Sequence, residues 1–162
     1  MVVAILVRCK LGSPVIFHQE RPGYHEKIFK LCKFRSMTDE RDAEGNLLPD
    51  AVRLTKFGKI LRAASLDELP ELWNILKGDM SLVGTRPPTV DEFERYEAKH
   101  KCRLSMTPGL TGLWQVSGRS DIKDFDEVVQ LDMQYIDNWS ILKDIKILLL
   151  TVGIVITGKG SR

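Results

Sequence analysis

The sequence predicts an α+β fold: a mainly helical single domain with a small β-hairpin. Three observations carry that prediction. The chain has 162 residues, 43% hydrophobic and 28% charged, which is the composition of one folded domain rather than of a disordered chain. Two runs rich in β-branched and aromatic residues, Pro14 to Gln19 and Ile28 to Arg35, flank a polar stretch containing Pro22-Gly23, the pattern of a hairpin. From Leu54 onward the apolar residues recur at helical spacing, with no alternation of strand and helix, no G-x-G-x-x-G and no P-loop. A dinucleotide-binding fold and a P-loop therefore have no support.

The elements follow in order. Met1 to Val7 is an apolar run of about a third of the roughly 20 residues a spanning helix needs, so it cannot span. Thr38 to Arg53 is polar, contains Gly45 and Pro49 and lacks an apolar period, which predicts a mobile surface loop and a candidate lid. Leu54, Phe57, Ile60 and Leu61 then share one helical face, and Leu69, Leu72, Trp73 and Leu76 form a second stripe that stops at Gly78. Thr89-Val-Asp-Glu92 has capping-box form and predicts a helix through about Cys102 with Phe93 and Tyr96 inward. Another helix begins at Asp124, with Phe125, Val128, Val129 and Ile136 in phase and Asp132 on the inward face. The apolar run Ile145 to Thr157 carries Lys146 and is short of a span. It reads either as a buried terminal helix or as one lying against a bilayer interface.

Composition removes some classes of function. A formal net charge of +2 argues against a nucleic-acid partner, which would need a strong basic excess. Cys9, Cys32 and Cys102 are odd in number and widely spaced, as reduced thiols of a cytosol-facing protein are. His18, His25 and His100 form no zinc-binding spacing.

The densest polar constellation runs from Arg62 through Ser65-Leu-Asp-Glu68 to Asn74, followed by Gly78 to Pro88. Adjacent carboxylates beside arginines suit phosphate chemistry: one can attack phosphorus while its neighbour binds a metal or manages a proton. Ser65 to Glu68 is also a capping box, which would make the same carboxylates a helix start. Pro70 favours placing Asp67 and Glu68 just outside the helix. An attack on a nucleotide diphosphate needs fixed cations, and Lys33, Arg35, Arg62, Arg86 and Arg119 are the candidates. The turn-rich segment Thr107 to Arg119 could bring its backbone close to a ligand. Trp114 within it either anchors the loop or stacks on a base or sugar. Asp132 needs a partner, whether a metal, an Arg or a backbone cap.

At these residues the chain resembles the bacterial sugar transferases, the monotopic polyprenyl-phosphate phosphoglycosyl transferases that start assembly of capsule, exopolysaccharide and related glycans. The segments that carry the resemblance are Gly12-Ser-Pro-Val-Ile-Phe17, Phe29 to Met37, Leu54-Thr-Lys-Phe-Gly58, Ser65-Leu-Asp-Glu-Leu-Pro-Glu-Leu-Trp-Asn74, Lys77-Gly-Asp-Met-Ser-Leu-Val-Gly84 with Arg86-Pro87, and Pro108-Gly-Leu-Thr-Gly112 with Trp114.

The resemblance implies a ping-pong reaction. Asp67 would attack the β-phosphate of a UDP-sugar and expel UMP, and undecaprenyl phosphate would then take the sugar phosphate from the aspartate. Glu68 would assist, Asp67 would hold Mg2+, and Lys33, Arg35, Arg62, Arg86 and Arg119 would bind phosphates. The tail around Asp132 to Ile145 is more similar to the branch that transfers glucose 1-phosphate or galactose 1-phosphate. By the same resemblance, residues 1–11 would be the remnant of a re-entrant membrane helix and residues 12–162 the catalytic domain. The protein would sit on the cytoplasmic face of the bacterial inner membrane, with no nucleic-acid partner and with a homo-oligomer left open. The competing reading is a catalytically idle module that binds lipid phosphate or nucleotide.

Overall fold

The structure, a computed structural model, describes residues 1–118, 122 and 124–157. The apolar start of the chain forms helix α1 (Val2–Leu11), whose Val7 and Leu11 are buried while Val2, Ile5 and Leu6 are exposed, as is Met1 before it. The predicted hairpin follows, with β1 (Ile16–Pro22) antiparallel to β2 (Ile28–Phe34) in a register that pairs Ile16 with Phe34 and Pro22 with Ile28. Alternation along β2 sends Phe29 and Leu31 into the interior.

The stretch after β2 holds more structure than an irregular loop. Arg41 pairs with Leu47 and Met37 with Leu54, and the Asp42 carboxylate accepts from the amides of Glu44 and Asn46. A short helix α2 (Asp50–Arg53) closes it. Thr55 then caps α3 (Lys56–Ala63) by accepting from the Gly58 amide at 3.0 Å. Leu61 of α3 packs on Val7 and Leu11, with Phe57, Phe34 and Leu66 around them. Ile60, placed by periodicity on the same face, is exposed instead.

A single 3-10 turn (Leu66–Glu68) separates α3 from α4 (Glu71–Lys77), which ends at Gly78 in the left-handed region (φ 82). The inward face of α4 is polar. Asn74 is fully buried: its Oδ1 accepts from the Cys32 amide at 3.0 Å, and its Nδ2 donates to the Lys30 carbonyl at 2.8 Å. The side chain thus satisfies backbone groups of β2 that would otherwise be unpaired, and it pins α4 along that strand. The apolar stripe Leu69, Leu72, Trp73 and Leu76 consequently faces outward, with Trp73 61% and Leu76 79% exposed.

The hairpin has company that sequence reading did not foresee: β3 (Ser81–Val83) pairs in parallel with β4 (Gly109–Thr111). The glycines here serve close backbone approach. A Cβ on Gly109 would lie 2.1 Å from the Gly84 amide nitrogen, and one on Gly112 would lie 2.3 Å from the Gly84 carbonyl oxygen. These turns therefore approach another strand of the protein itself, where the sequence suggested approach to a ligand.

The capping box at Thr89 and Glu92 forms as expected, but its helix α5 (Val90–Glu94) is brief. A new cap at Glu97, whose amide is accepted by His100 Nδ1 at 3.1 Å, starts a separate 3-10 segment (Ala98–Ser105). The predicted continuous helix to Cys102 is thus broken. After β4 come α6 (Leu113–Val116), α7 (Phe125–Asp137) and α8 (Ile141–Thr157). Val83, Tyr135 and Ile147 form the core that joins them.

Helix α8 is not the buried terminal helix that was one of its two readings. Ile147 is its one buried residue among those described, and Leu142, Leu149 and Ile156 stand well exposed. No helix among the described residues is long and apolar enough to cross a membrane.

Candidate active site

The route from α3 into the 3-10 turn runs through Ser65, a non-glycine residue in the left-handed region (φ 52, ψ 22). That conformation is costly for an L-residue and marks a position held by its surroundings. The Ser65 side chain makes no capping bond, so the capping-box alternative is not realised. Asp67 and Glu68 stand outside α4, in keeping with Pro70 immediately before it.

Both carboxylates open onto a cleft of about 1690 Å³ whose lining includes Lys33, Arg35, Arg62 and Arg86, together with the apolar Leu82, Trp114 and Val152. The structure therefore brings Asp67, Glu68, Lys33, Arg35, Arg62 and Arg86 to one cleft, while Arg119 lies outside the described residues.

Asp67 is 9% exposed, and among the described residues it makes no salt bridge. Burial raises its pKa, with the neighbouring Glu68 adding to the rise; Lys33, its own backbone amide and Arg62 oppose it. Glu68 accepts from Lys33 Nζ at 3.0 Å and from Arg86 Nη1 at 3.4 Å. Arg62 donates through Nε to the Ser36 hydroxyl at 3.0 Å.

Arg35 is differently employed. Its Nε donates to the Met37 carbonyl at 2.9 Å, its Nη1 to the Ser13 carbonyl at 2.6 Å, and it is paired with Asp39. An incoming phosphate would have to compete for a guanidinium that already ties the hairpin to its flanks.

Two charged groups were not singled out from sequence. Arg21, buried on β1, donates to the Pro87 carbonyl at 2.8 Å and so braces the segment after Arg86; burial, then Arg86, lowers its pKa. Glu71, 4% exposed, accepts from Lys33 Nζ at 3.2 Å. Burial pushes its pKa up to about 7 against the pull of Lys33. The available signal was its spacing of three from Asn74, which puts both on one face of α4.

Asp132 finds its partner in Arg103, whose Nε donates at 2.6 Å deep in the interior. Burial carries its pKa to about 6 although Arg103 opposes the shift. It does not line the cleft. Trp114 does, and its indole Nε1 is buried with no hydrogen-bond partner among the described residues.

Residues 1–158 match the family model described as bacterial sugar transferase. The chain belongs to that family. This sugar transferase chain is 53% identical to the galactosyl transferase CpsE of Streptococcus agalactiae serotype III (strain NEM316), over 94% of this chain and 37% of that protein. It is 54% identical to the sugar transferase EpsL of Bacillus subtilis (strain 168), over 96% of this chain and 76% of EpsL. To the UDP-glucose:undecaprenyl-phosphate glucose-1-phosphate transferase of Klebsiella pneumoniae it is 40% identical, over 94% of this chain and 35% of that enzyme. The sugar transferase chain thus spans little more than a third of two of these relatives and about three quarters of EpsL.

Among the described residues no three His, Cys, Asp or Glu side chains are grouped to hold a metal ion. Mg2+ does not require such a cage. It commonly keeps several waters and uses one or two carboxylates together with substrate phosphates, a donor set to which Asp67 on the cleft wall conforms.

Proposed function

We propose that this chain transfers a sugar 1-phosphate from a UDP-sugar to undecaprenyl phosphate, with Asp67 as the nucleophile. The observation that carries the reading is Asp67 itself: a mostly buried carboxylate, free of salt bridges among the described residues, set after a left-handed turn in a cleft lined by Lys33, Arg62 and Arg86. A buried nucleophile is poorly hydrated, and the cations beside it offset the charge of a diphosphate.

In the first step an Asp67 carboxylate oxygen bonds to the β-phosphorus, and the bond from that phosphorus to the bridging oxygen breaks. The oxygen leaves with UMP. In the second step a phosphate oxygen of the polyprenyl phosphate attacks the same phosphorus. A new diphosphate forms, and the Asp67 carboxylate is freed. Lys33, Arg62 and Arg86 bind and orient the phosphoryl oxygens in both steps, and Glu68, fixed between Lys33 and Arg86, keeps these two cations in place beside the nucleophile. Arg119 is a further phosphate-binding candidate, as is Arg35 if Asp39 yields. Asp67 would hold Mg2+, which neutralises phosphate charge when bound.

The exposed apolar faces of α1, α4 and α8 favour seating against the cytoplasmic leaflet of the bacterial inner membrane, where the lipid acceptor resides. The cleft supports that placement, because Leu69 just before α4, Leu72 of α4 and Val152 and Val155 of α8 line it together with the charged residues. The galactosyl transferase and glucose-1-phosphate transferase among the relatives favour galactose or glucose as the transferred sugar.

The test is release of UMP from a panel of UDP-sugars in Mg2+, with and without undecaprenyl phosphate. One UDP-hexose should support turnover that Asp67→Asn abolishes. Binding of donor with no UMP release would instead make the chain an idle binding module, and full turnover in Asp67→Asn would remove the nucleophile assignment.

A further inference from the structure

Lys33 Nζ is shared. It lies 3.0 Å from Glu68 Oε1 and 3.2 Å from Glu71 Oε1, and its side chain is 15% exposed at the cleft wall. An ammonium has three donors, so among the described residues these two acceptors leave one for an anion in the cleft. Glu71 cannot turn away from this arrangement without a penalty, because it is buried in the first turn of α4, which Asn74 pins to β2. Glu71 has no part in the chemistry proposed above.

We propose that Glu71 is a positioning residue that shares Lys33 with Glu68 and thereby controls how much of the lysine's charge reaches an anionic donor. The groups that face Glu71 are Lys33 from β2, Glu68 from the 3-10 turn and Arg86 beyond β3; Arg21 of β1 and Cys32 of β2 lie in its electrostatic reach. When Glu71 is ionised, Lys33 answers two carboxylates. When it is protonated, Lys33 answers Glu68 and the cluster carries one more positive charge. A nucleotide diphosphate therefore binds better to the protonated form and, by linkage, holds the proton on Glu71. Burial, which brings this carboxyl to about 7, places the switch at neutrality.

The inference rests on the reading of the cleft as a phosphosugar-donor site. It is tested by the second-order rate constant for the single turnover of UMP release from the UDP-sugar that the panel identifies, measured in Mg2+ without acceptor across the neutral range. A diphosphate diester does not titrate there, so the pH profile of that constant reports the free enzyme's groups.

The wild-type rate should rise on the acid side as Asp67 ionises, then fall about three- to tenfold as Glu71 ionises. Glu71→Gln should keep the acid limb and lose the alkaline fall, whereas Glu71→Asp, which restores a carboxylate, should bring it back. An alkaline fall that persists in folded Glu71→Gln overturns the inference. Should that variant not fold, Lys33→Gln decides: Glu71 acts through Lys33, so the fall disappears there too, and its persistence overturns the inference equally. Absence of UMP release from every UDP-sugar at every pH would overturn the parent reading, and this one with it.

Discussion

Lys33 Nζ sits between Glu68 Oε1 and Glu71 Oε1, at 3.0 and 3.2 Å, so one ammonium serves two carboxylates of which Glu71 is almost wholly buried. This pairing has a consequence for stability. The folded protein holds the Glu71 proton more tightly than the unfolded chain does, since the pKa moves from 4.5 to about 7. The associated stabilisation is complete below the unfolded value and is lost as pH rises through the folded one. Glu71→Gln should therefore match wild type near pH 4.5 and exceed it by up to about 3 kcal/mol at about pH 8. Urea unfolding at the two pH values measures this, and parallel curves would contradict it.

Arg103 and Asp132 form an ion pair in which both side chains are at most 5% exposed. Arg103 also donates to the Tyr96 hydroxyl and, at 3.4 Å, to the Arg86 carbonyl. Arg103→Met leaves a buried carboxylate without its cation and should cost about 3–5 kcal/mol. Adding Asp132→Leu should recover much of that loss, a non-additivity that a double-mutant cycle in urea resolves.

Gly109 and Gly78 separate two uses of glycine. A Cβ on Gly109 would meet the Gly84 backbone at 2.1 Å, whereas one on Gly78 meets nothing within 4 Å and suffers only from φ 82. Gly109→Ala should destabilise by about 3 kcal/mol or more, because β3 and β4 must part. Gly78→Ala should cost about 1 kcal/mol. Thermal unfolding of the two variants gives the order directly.

Trp73 and Leu76 point away from the interior. Replacing both with Gln should change folding stability by no more than about 0.5 kcal/mol. If α4 seats on lipid, the same change should weaken co-sedimentation with anionic vesicles by about tenfold or more. Unaltered vesicle binding would remove α4 from the membrane contact.

The α4 result also shows what could be read in the sequence and what could not. The hairpin was legible because β-branched and aromatic residues gather in two runs, Pro14 to Gln19 and Ile28 to Arg35, on either side of Pro22-Gly23. The start of α5 was equally legible in Thr89 and Glu92, but a capping box specifies where a helix begins, and the competing cap at Glu97 that ends the run has no comparable signature. Leu69, Leu72, Trp73 and Leu76 have the spacing of a buried face, yet Glu71 and Asn74 point inward because β2 offers a lysine and unpaired backbone groups. That preference depends on partners about 40 residues away, Lys33 for Glu71 and Lys30 and Cys32 for Asn74, and its one local trace is the spacing of Glu71 and Asn74 on one face of α4. Among the site residues, Lys33, Arg62, Asp67, Glu68 and Arg86, which come from separate motifs, line one cleft. The involvement of Arg35 with Ser13 and Asp39 comes from the fold alone.

The central claim is that Asp67 becomes covalently bonded to the sugar phosphate. Intact-protein and peptide mass spectrometry after incubation with the productive UDP-sugar and Mg2+, without acceptor, tests it most directly. The account predicts a single added hexosyl phosphate on the peptide containing Asp67, absent from Asp67→Asn and discharged by undecaprenyl phosphate. An adduct on another residue, or full turnover with acceptor in a protein that never carries an adduct under rapid quenching, would contradict it.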